Sequence, residues 1–317
     1  MPSTGSAERP TGGPGGPSSV RSIYLPLLYL GLGVAAAVVW QHTGALAGLR
    51  SWHHEMITGA APAPNQYRPL TPWLAEILWR LMPGADVTTA YFLLRAVVTG
   101  ATLMVFHRYL RVWFSPVAAA AGTLCLAAII PYTQQRVVQE SDPINLLVFV
   151  AAFWAIAVRK DRLLLPLVLV GTLNREAAAL IPAVYLVARW GELPAGRLAA
   201  RTAALTAAWG IVYGGLLLGY GLREYYCPTV MFLVNVGSWK PTAYLVVLFG
   251  VMWVLAFRAG GDAPRFLRRA LWLVIPYAAL HYVLARVEEV RLFLPFAPVV
   301  IPLAWWTLFP EARRTET

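Results

Sequence analysis

Apolar side chains run almost without interruption along most of this chain instead of recurring at every second or every third to fourth position. The uncharged runs lie near residues 23–41, 87–106, 114–131, 144–158, 202–220, 242–257, 270–284 and 292–309. Runs of that length predict membrane-spanning helices, because a bilayer core offers backbone N–H and C=O groups no partner outside a helix or a closed barrel. A barrel is excluded, since its strands would alternate apolar and polar residues. Residues 1–20 hold nine Gly or Pro and almost no large apolar side chain, which predicts a disordered tail. The first run is too long and too far from the terminus for an ordinary cleaved signal peptide, so it is read as a span.

One segment resists a simple reading. Residues 163–189, LLLPLVLVGTLNREAAALIPAVYLVAR, are long enough for one span, yet Asn174, Arg175 and Glu176 interrupt the centre. Either the chain crosses once, or two half-helices meet at the polar tip and return. Basic residues concentrate in cytoplasmic loops, and that rule separates the two. With a cytoplasmic amino terminus and a returning pair, 16 Lys or Arg lie inside, 8 outside and 2 (Arg95 and Arg175) within spans. A single crossing gives 11 inside and 13 outside. The expected fold is therefore an all-α polytopic membrane helix bundle, with about eight full spans and a pair of short half-helices. One transmembrane domain covers 21–310. The tails 1–20 and 311–317 are cytoplasmic, and the outer loops are 42–86, 132–143, 221–241 and 285–291.

Composition supports this class. Apolar residues make up 58% of the 317 and charged residues 13%, against about 45–50% and about 25% in soluble proteins. Mean hydropathy is +0.59. The net charge of +11 orients loops in such a chain, and no nucleic-acid partner is expected. Two cysteines, Cys125 and Cys227, indicate no disulfide framework. Arg outnumbers Lys 24 to 2, the bias of a GC-rich bacterial genome, so the expected location is a bacterial cytoplasmic (inner) membrane. Nine of the fifteen carboxylates fall on the outer side or at the 174–176 tip, although that side is poor in basic residues. Chemistry is expected there.

The outer loop 42–86 predicts two surface helices with apolar faces in lipid. Leu46, Leu49, His53 and Met56 form one stripe, with Glu55 pointing away. Trp73, Leu74, Ile77, Leu78 and Leu81 form the other, with Thr71 as N-cap and Pro72 at the first helical position. Between them a Pro-rich turn carries Asn65, Gln66, Tyr67 and Arg68. It is either a headgroup-anchored loop or a rigid rim holding Glu55 over a cavity while Arg68 meets a phosphate. In the loop 132–143, Asp142 precedes Pro143 and suits a helix N-cap, whereas Glu140 and Arg136 have no such role. Asn145, one turn into the span, needs a polar partner in lipid. A charge at bilayer depth costs ~2.5–3.5 kcal/mol even on the lenient scale, so Arg175 and Glu176 are the strongest signal. They either pair structurally or serve a site, with Arg175 free to receive an anion. Glu288 and Arg291, three apart in RVEEVRLFLPF, share one face if helical.

These segments together resemble the GT-C glycosyltransferases. The similarity rests on an acidic first outer loop with a G…P-x-P…Y-R turn, E-S-D-P in the second outer loop, a mid-membrane N-R-E, and a late E-x-R-x-x-x-P. It covers most of the chain in layout but about twenty residues in identity. His53, His54 and Glu55 stand where many members carry a pair of acids. The resemblance implies an inverting membrane enzyme that takes a sugar from a polyprenyl-phosphate donor and passes it to a glycan or lipid-linked acceptor at the outer face. It implies a catalytic carboxylate at Glu55, a second-loop acid at Asp142 or Glu140, and donor phosphate met by Arg175 and Arg291. Gln66, Tyr67, Arg68, Asn145, Asn174, Glu176 and Glu288 complete the expected substrate contacts. Transfer needs a base for the acceptor hydroxyl and cations for the leaving phosphate, and these residues offer both. No cofactor is certain; a divalent metal could assist, though no ligand spacing is specific. The alternatives are a lipid-linked-sugar flippase or small-solute transporter using Arg175 and Glu176 as a midplane site, and an acyltransferase or polymerase acting on the same lipid carriers.

Overall fold

The computed structural model describes residues 18–42, 48–134, 139–225, 228 and 230–314. Most of the expected disordered tail, Leu46, Arg136 and Cys227 lie outside the described residues. The fold is all-helical, and no strand forms among the described residues. In chain order the helices are α1 (Ser18–His42), α2 (Leu49–Thr58), α3 (Leu70–Arg80), α4 (Val87–Leu110), α5 (Pro116–Tyr132), α6 (Asp142–Ala157), α7 (Leu164–Asn174) and α8 (Leu180–Arg189). They continue as α9 (Ala195–Tyr220), α10 (Phe232–Val236), α11 (Lys240–Phe249), α12 (Val251–Phe257), α13 (Arg265–Trp272), α14 (Val274–Leu284) and α15 (Ala297–Leu308).

Four segments are long and apolar enough to cross a bilayer: Tyr24–His42, Val87–Leu110, Ala195–Tyr220 and Val290–Leu308. Helices α11 and α12 add a fifth if counted together, bent by 69° at Gly250, whose backbone angles (φ +51°, ψ −129°) favour a residue without a β-carbon. This is fewer than the eight expected. Continuous apolarity does not guarantee a continuous helix. Helices α5 and α6 stop at 17 and 16 residues. The run at 270–284 begins as the end of α13, an amphipathic helix with Leu267, Ala270 and Leu271 buried, and restarts at Val274. Pro295 lies in a 3-10 turn, Val290–Phe296, that leads into α15.

Helix α1 lies along α4, α4 against α6, and α12 against α15. Close approach of α1 and α4 rests on glycine: a β-carbon on Gly33 would collide with the Ala96 carbonyl oxygen and stand 2.8 Å from the Gly100 nitrogen. Small residues at a helix crossing do this in membranes, where packing replaces the hydrophobic effect. Phe106, Tyr109, Phe149, Phe153 and Phe296 fill the core between α4, α6 and α15. Only 11% of the apolar window of α9 is buried, which leaves most of that helix facing outward.

Segment 163–189 is a returning pair. Arg175 takes an extended backbone (φ −165°, ψ 139°) that ends α7, and a 3-10 turn, Glu176–Ala179, starts the return. The Arg189 guanidinium at the end of α8 bonds Asp161, just before α7, at 2.6 Å. Both ends of the pair therefore lie together, while the tip reaches the middle of α9, where Trp209 Nε1 donates to the Glu176 carbonyl at 3.0 Å. Gly171 permits the tight fold-back, since a β-carbon there would lie 2.9 Å from Val148 and 3.1 Å from Ala178.

The two surface helices form, but their faces differ from one another. Helix α3 exposes Trp73, Leu74 and Ile77, with Leu81 just past its end, as expected, while Leu78 is half-buried. Helix α2 does the opposite: Leu49, His53 and Met56 are buried against the protein, and His53 bonds the Tyr91 hydroxyl and Glu76, each at 2.9 Å. Its stripe has tertiary partners, so it does not face lipid. Thr71 is not an N-cap either. Helix α3 starts at Leu70, and the buried Thr71 hydroxyl donates to Asn174 Oδ1 at 2.7 Å.

Candidate functional site

The break at Arg175 organises the site. Because the residue leaves the helical path between two half-helices, its side chain is buried yet borders a cavity. One Nη donates to Asp142 at the first turn of α6. Asp142 also receives Arg291 at 3.2 Å, and Arg291 in turn holds Glu289. On the other side Glu176 accepts both forks of Arg68, whose Nε lies 2.9 Å from Oε2. Arg68 also donates to Gln139. Three arginines thus meet three carboxylates, the arrangement that lets charges persist out of water.

Arg68 is aimed by its own loop. Gln66 is fully buried: its Oε1 accepts the Ala61 N–H at 2.9 Å and its Nε2 donates to the Met56 carbonyl at 3.3 Å. The Tyr67 hydroxyl donates to the Gly221 carbonyl at 2.9 Å and accepts the Arg223 N–H at 2.8 Å. This ties the Pro-rich turn to the chain leaving α9.

The cavity has a volume of about 840 Å³. Arg68, Arg175, Glu176, Arg286, Glu289 and Arg291 supply its charged lining. Leu180 and Ala183 of α8 and Pro276, Leu280 and Leu284 of α14 supply an apolar one. Polar and apolar linings in one chamber suit a ligand with an ionic head and a hydrocarbon tail. Arg175 can serve such a head. Apart from Asp142 its guanidinium has no hydrogen-bond partner among the described residues, and its two nitrogens without a bond are not sealed from solvent. Arg291 Nε is buried without a hydrogen bond.

The expected site residues divide. Arg68, Asn145, Arg175, Glu176 and Arg291 line the cavity, and Asp142 lies behind them as the acceptor for two arginines. Glu140 is not brought there. It forms a buried bidentate pair with Arg95 at 2.6 and 2.7 Å. Gln66 and Tyr67 spend their polar atoms on backbone. Asn174 is fully buried, taking Thr71 on Oδ1 and giving Nδ2 to the Ser141 carbonyl at 2.8 Å. Its role is to fasten the tip to α3 and α6. Glu55 is half-buried on α2 and is not part of the cavity lining. The expected helical pairing of Glu288 with Arg291 fails because the helical turn starts only at Val290, after Glu288, and Glu289 is the partner instead. Pro295, soon after, was the sequence signal against a helix there. Glu289, in the same charged cluster as Arg291, also lines the cavity, as do Gln139, Tyr213 and His281, whose separation along the chain gave no local pattern to find them by. No group of three or more His, Cys, Asp or Glu that could hold a metal forms among the described residues.

Fold and site define a class: an all-helical protein whose four to five apolar helices could span a membrane, built around a cavity with one charged and one apolar side. No protein-family model, curated protein or solved structure matches the chain.

Proposed function

We propose that this protein is a GT-C-type membrane glycosyltransferase of a bacterial cytoplasmic membrane. It takes a sugar from a polyprenyl-phosphate donor and gives it, with inversion, to a lipid-linked or extracytoplasmic acceptor. The observation that carries the reading is the cavity in which Arg175 and Arg291 meet an apolar wall of α8 and α14. A phosphodiester head is bound by guanidinium forks, and its hydrocarbon tail follows the apolar wall. As the bond to the sugar breaks, charge collects on the leaving phosphate, where fixed cations act most strongly. Arg175 and Arg291 take that role, with Arg68 holding Glu176 beside them. Of the three carboxylates expected as bases, Asp142 and Glu140 are held by arginines and Glu55 is not in the lining. The test is incubation of purified protein with a panel of radiolabelled polyprenyl-phosphate sugars and membrane-extracted glycan or lipid-linked acceptors. Label moving onto the acceptor, with free polyprenyl phosphate released, is the expected outcome. An intact donor throughout the panel overturns the reading.

The discontinuous pairs α7–α8 and α11–α12 favour a second reading, a lipid-linked-sugar flippase or solute transporter, because such folds place midplane sites at broken helices. Movement of unaltered donor across proteoliposomes, with no transfer, would select it.

A further inference from the structure

Helix α14 turns Tyr277, Leu280, His281 and Leu284 toward the cavity, the i, i+3, i+4, i+7 pattern of one helical face. His281 is the sole imidazole among the described residues that line it. Its Nδ1 lies 2.9 Å from the Tyr277 carbonyl oxygen. A carbonyl only accepts, so Nδ1 carries the hydrogen, and the neutral ring presents its lone pair on Nε2. Nε2 has no hydrogen-bond partner among the described residues and is not sealed from the cavity. The ring is held in place by stacking on Tyr277, centroids 4.0 Å apart, and by Phe293 at 5.8 Å. The carboxylates of the lining are differently placed: Glu176 is gripped by Arg68 and Glu289 by Arg291. A carboxylate under a guanidinium is a poor proton acceptor; an oriented neutral imidazole with a free lone pair is a good one.

We propose that His281 is the general base of the transfer, a catalytic residue that takes the proton of the acceptor hydroxyl on Nε2. This rests on the glycosyltransferase reading. The acceptor oxygen forms its bond to the anomeric carbon as the bond from that carbon to the phosphate oxygen breaks. The electron pair leaves with the phosphate, held by Arg175 and Arg291, and the proton goes to the imidazole. The backbone carbonyl of Tyr277 stabilises the imidazolium through Nδ1–H.

The test uses the full chain in detergent or nanodiscs, assayed for transfer from polyprenyl-phosphate sugar and for binding of polyprenyl phosphate. His281→Gln should slow transfer about 100-fold or more, with polyprenyl phosphate affinity within about twofold of wild type, and added imidazole should revive His281→Ala. A variant as fast as wild type overturns the base assignment and leaves the proposed function standing. So does a slow variant that imidazole does not revive, or one whose phosphate affinity falls in step with its rate. A wild-type protein inactive with every polyprenyl-phosphate sugar overturns the proposed function and this inference together. Independently of any variant, diethyl pyrocarbonate should label His281 in the folded wild type, and polyprenyl phosphate should block the labelling. An unlabelled His281 overturns the free Nε2.

Discussion

Arg95 and Arg175 are both buried guanidiniums, and both are held by acids of the same short segment, Glu140 and Asp142. Their surroundings separate them. Arg95 spends Nε and Nη2 on Glu140 in a bidentate pair, keeps Nη1 buried without a hydrogen bond, stacks with the Trp40 ring at 5.0 Å, and is 2% exposed, lining no large cavity among the described residues. Arg175 gives one nitrogen to an acid it shares with Arg291, and the rest of its fork borders 840 Å³ of open space. The first pair is sealed away from the cavity and holds α4 to the start of α6. The second is left partly unspent. Burial of a charge in a membrane helix does not by itself mark a site; an unfilled share of its hydrogen bonds, next to a cavity, does.

The largest effect should come from breaking the closed pair. Arg95→Met leaves Glu140 buried without its cation and should cost about 3–5 kcal/mol, whereas Arg95→Met with Glu140→Met should recover most of it. Unfolding of both variants in the same detergent measures this, and equal loss in the two would show that the pair is not a closed unit. Next comes the packing that closes it. Trp40 covers Arg95 only because α1 approaches α4 at Gly33, so Gly33→Leu should destabilise by about 1–3 kcal/mol from overpacking. Quenching of Trp fluorescence by acrylamide should rise as α1 lifts away.

For the open pair the expectation is reversed. Arg175→Lys keeps the charge but loses the planar fork, and should weaken polyprenyl phosphate binding about tenfold, the equivalent of ~1.4 kcal/mol, with a smaller change in stability. Affinity and thermal unfolding on one preparation separate the outcomes. Normal affinity in an unstable protein would make Arg175 a second Arg95.

The smallest effect belongs to an exposed pair. Arg50 bonds both oxygens of Asp86, at 3.0 and 2.8 Å. The Arg50 guanidinium, and then the Thr88 hydroxyl, hold the Asp86 carboxyl down at about 2. A folded pKa below the unfolded one adds stability that is present above the ordinary value near 4 and is lost as the pH falls toward 2. Wild type should therefore lose slightly more stability than Asp86→Asn between pH 4 and 2 and match its trend above pH 5; parallel curves throughout would remove the pair from consideration.

The sequence by itself determined the all-helical, apolar class and the break at 174–176, but not the breaks at Gly250 and Leu273. Unbroken apolarity leaves the backbone no partner but its own helix. Arg175 in the middle of such a run cannot remain in lipid, so the chain must turn or enclose it, and the count of basic residues favoured the turn. Arg68 and Arg291 stood out differently, Arg68 in a Pro-rich outer turn and Arg291 in a charged cluster at the end of the last apolar run. Only the tertiary structure decided who meets whom. Asp142 looked like a cap and became a bridge between Arg175 and Arg291; Glu140 looked available and is locked to Arg95. Asn174 and Gln66 turned inward to satisfy backbone and side-chain partners. His281 carries no local signal, because a histidine one turn after a tyrosine reads alike in a core and in a cavity. Partner choice among buried charges depends on distances between segments far apart in the chain, and the hydrophobic pattern records only which positions leave water.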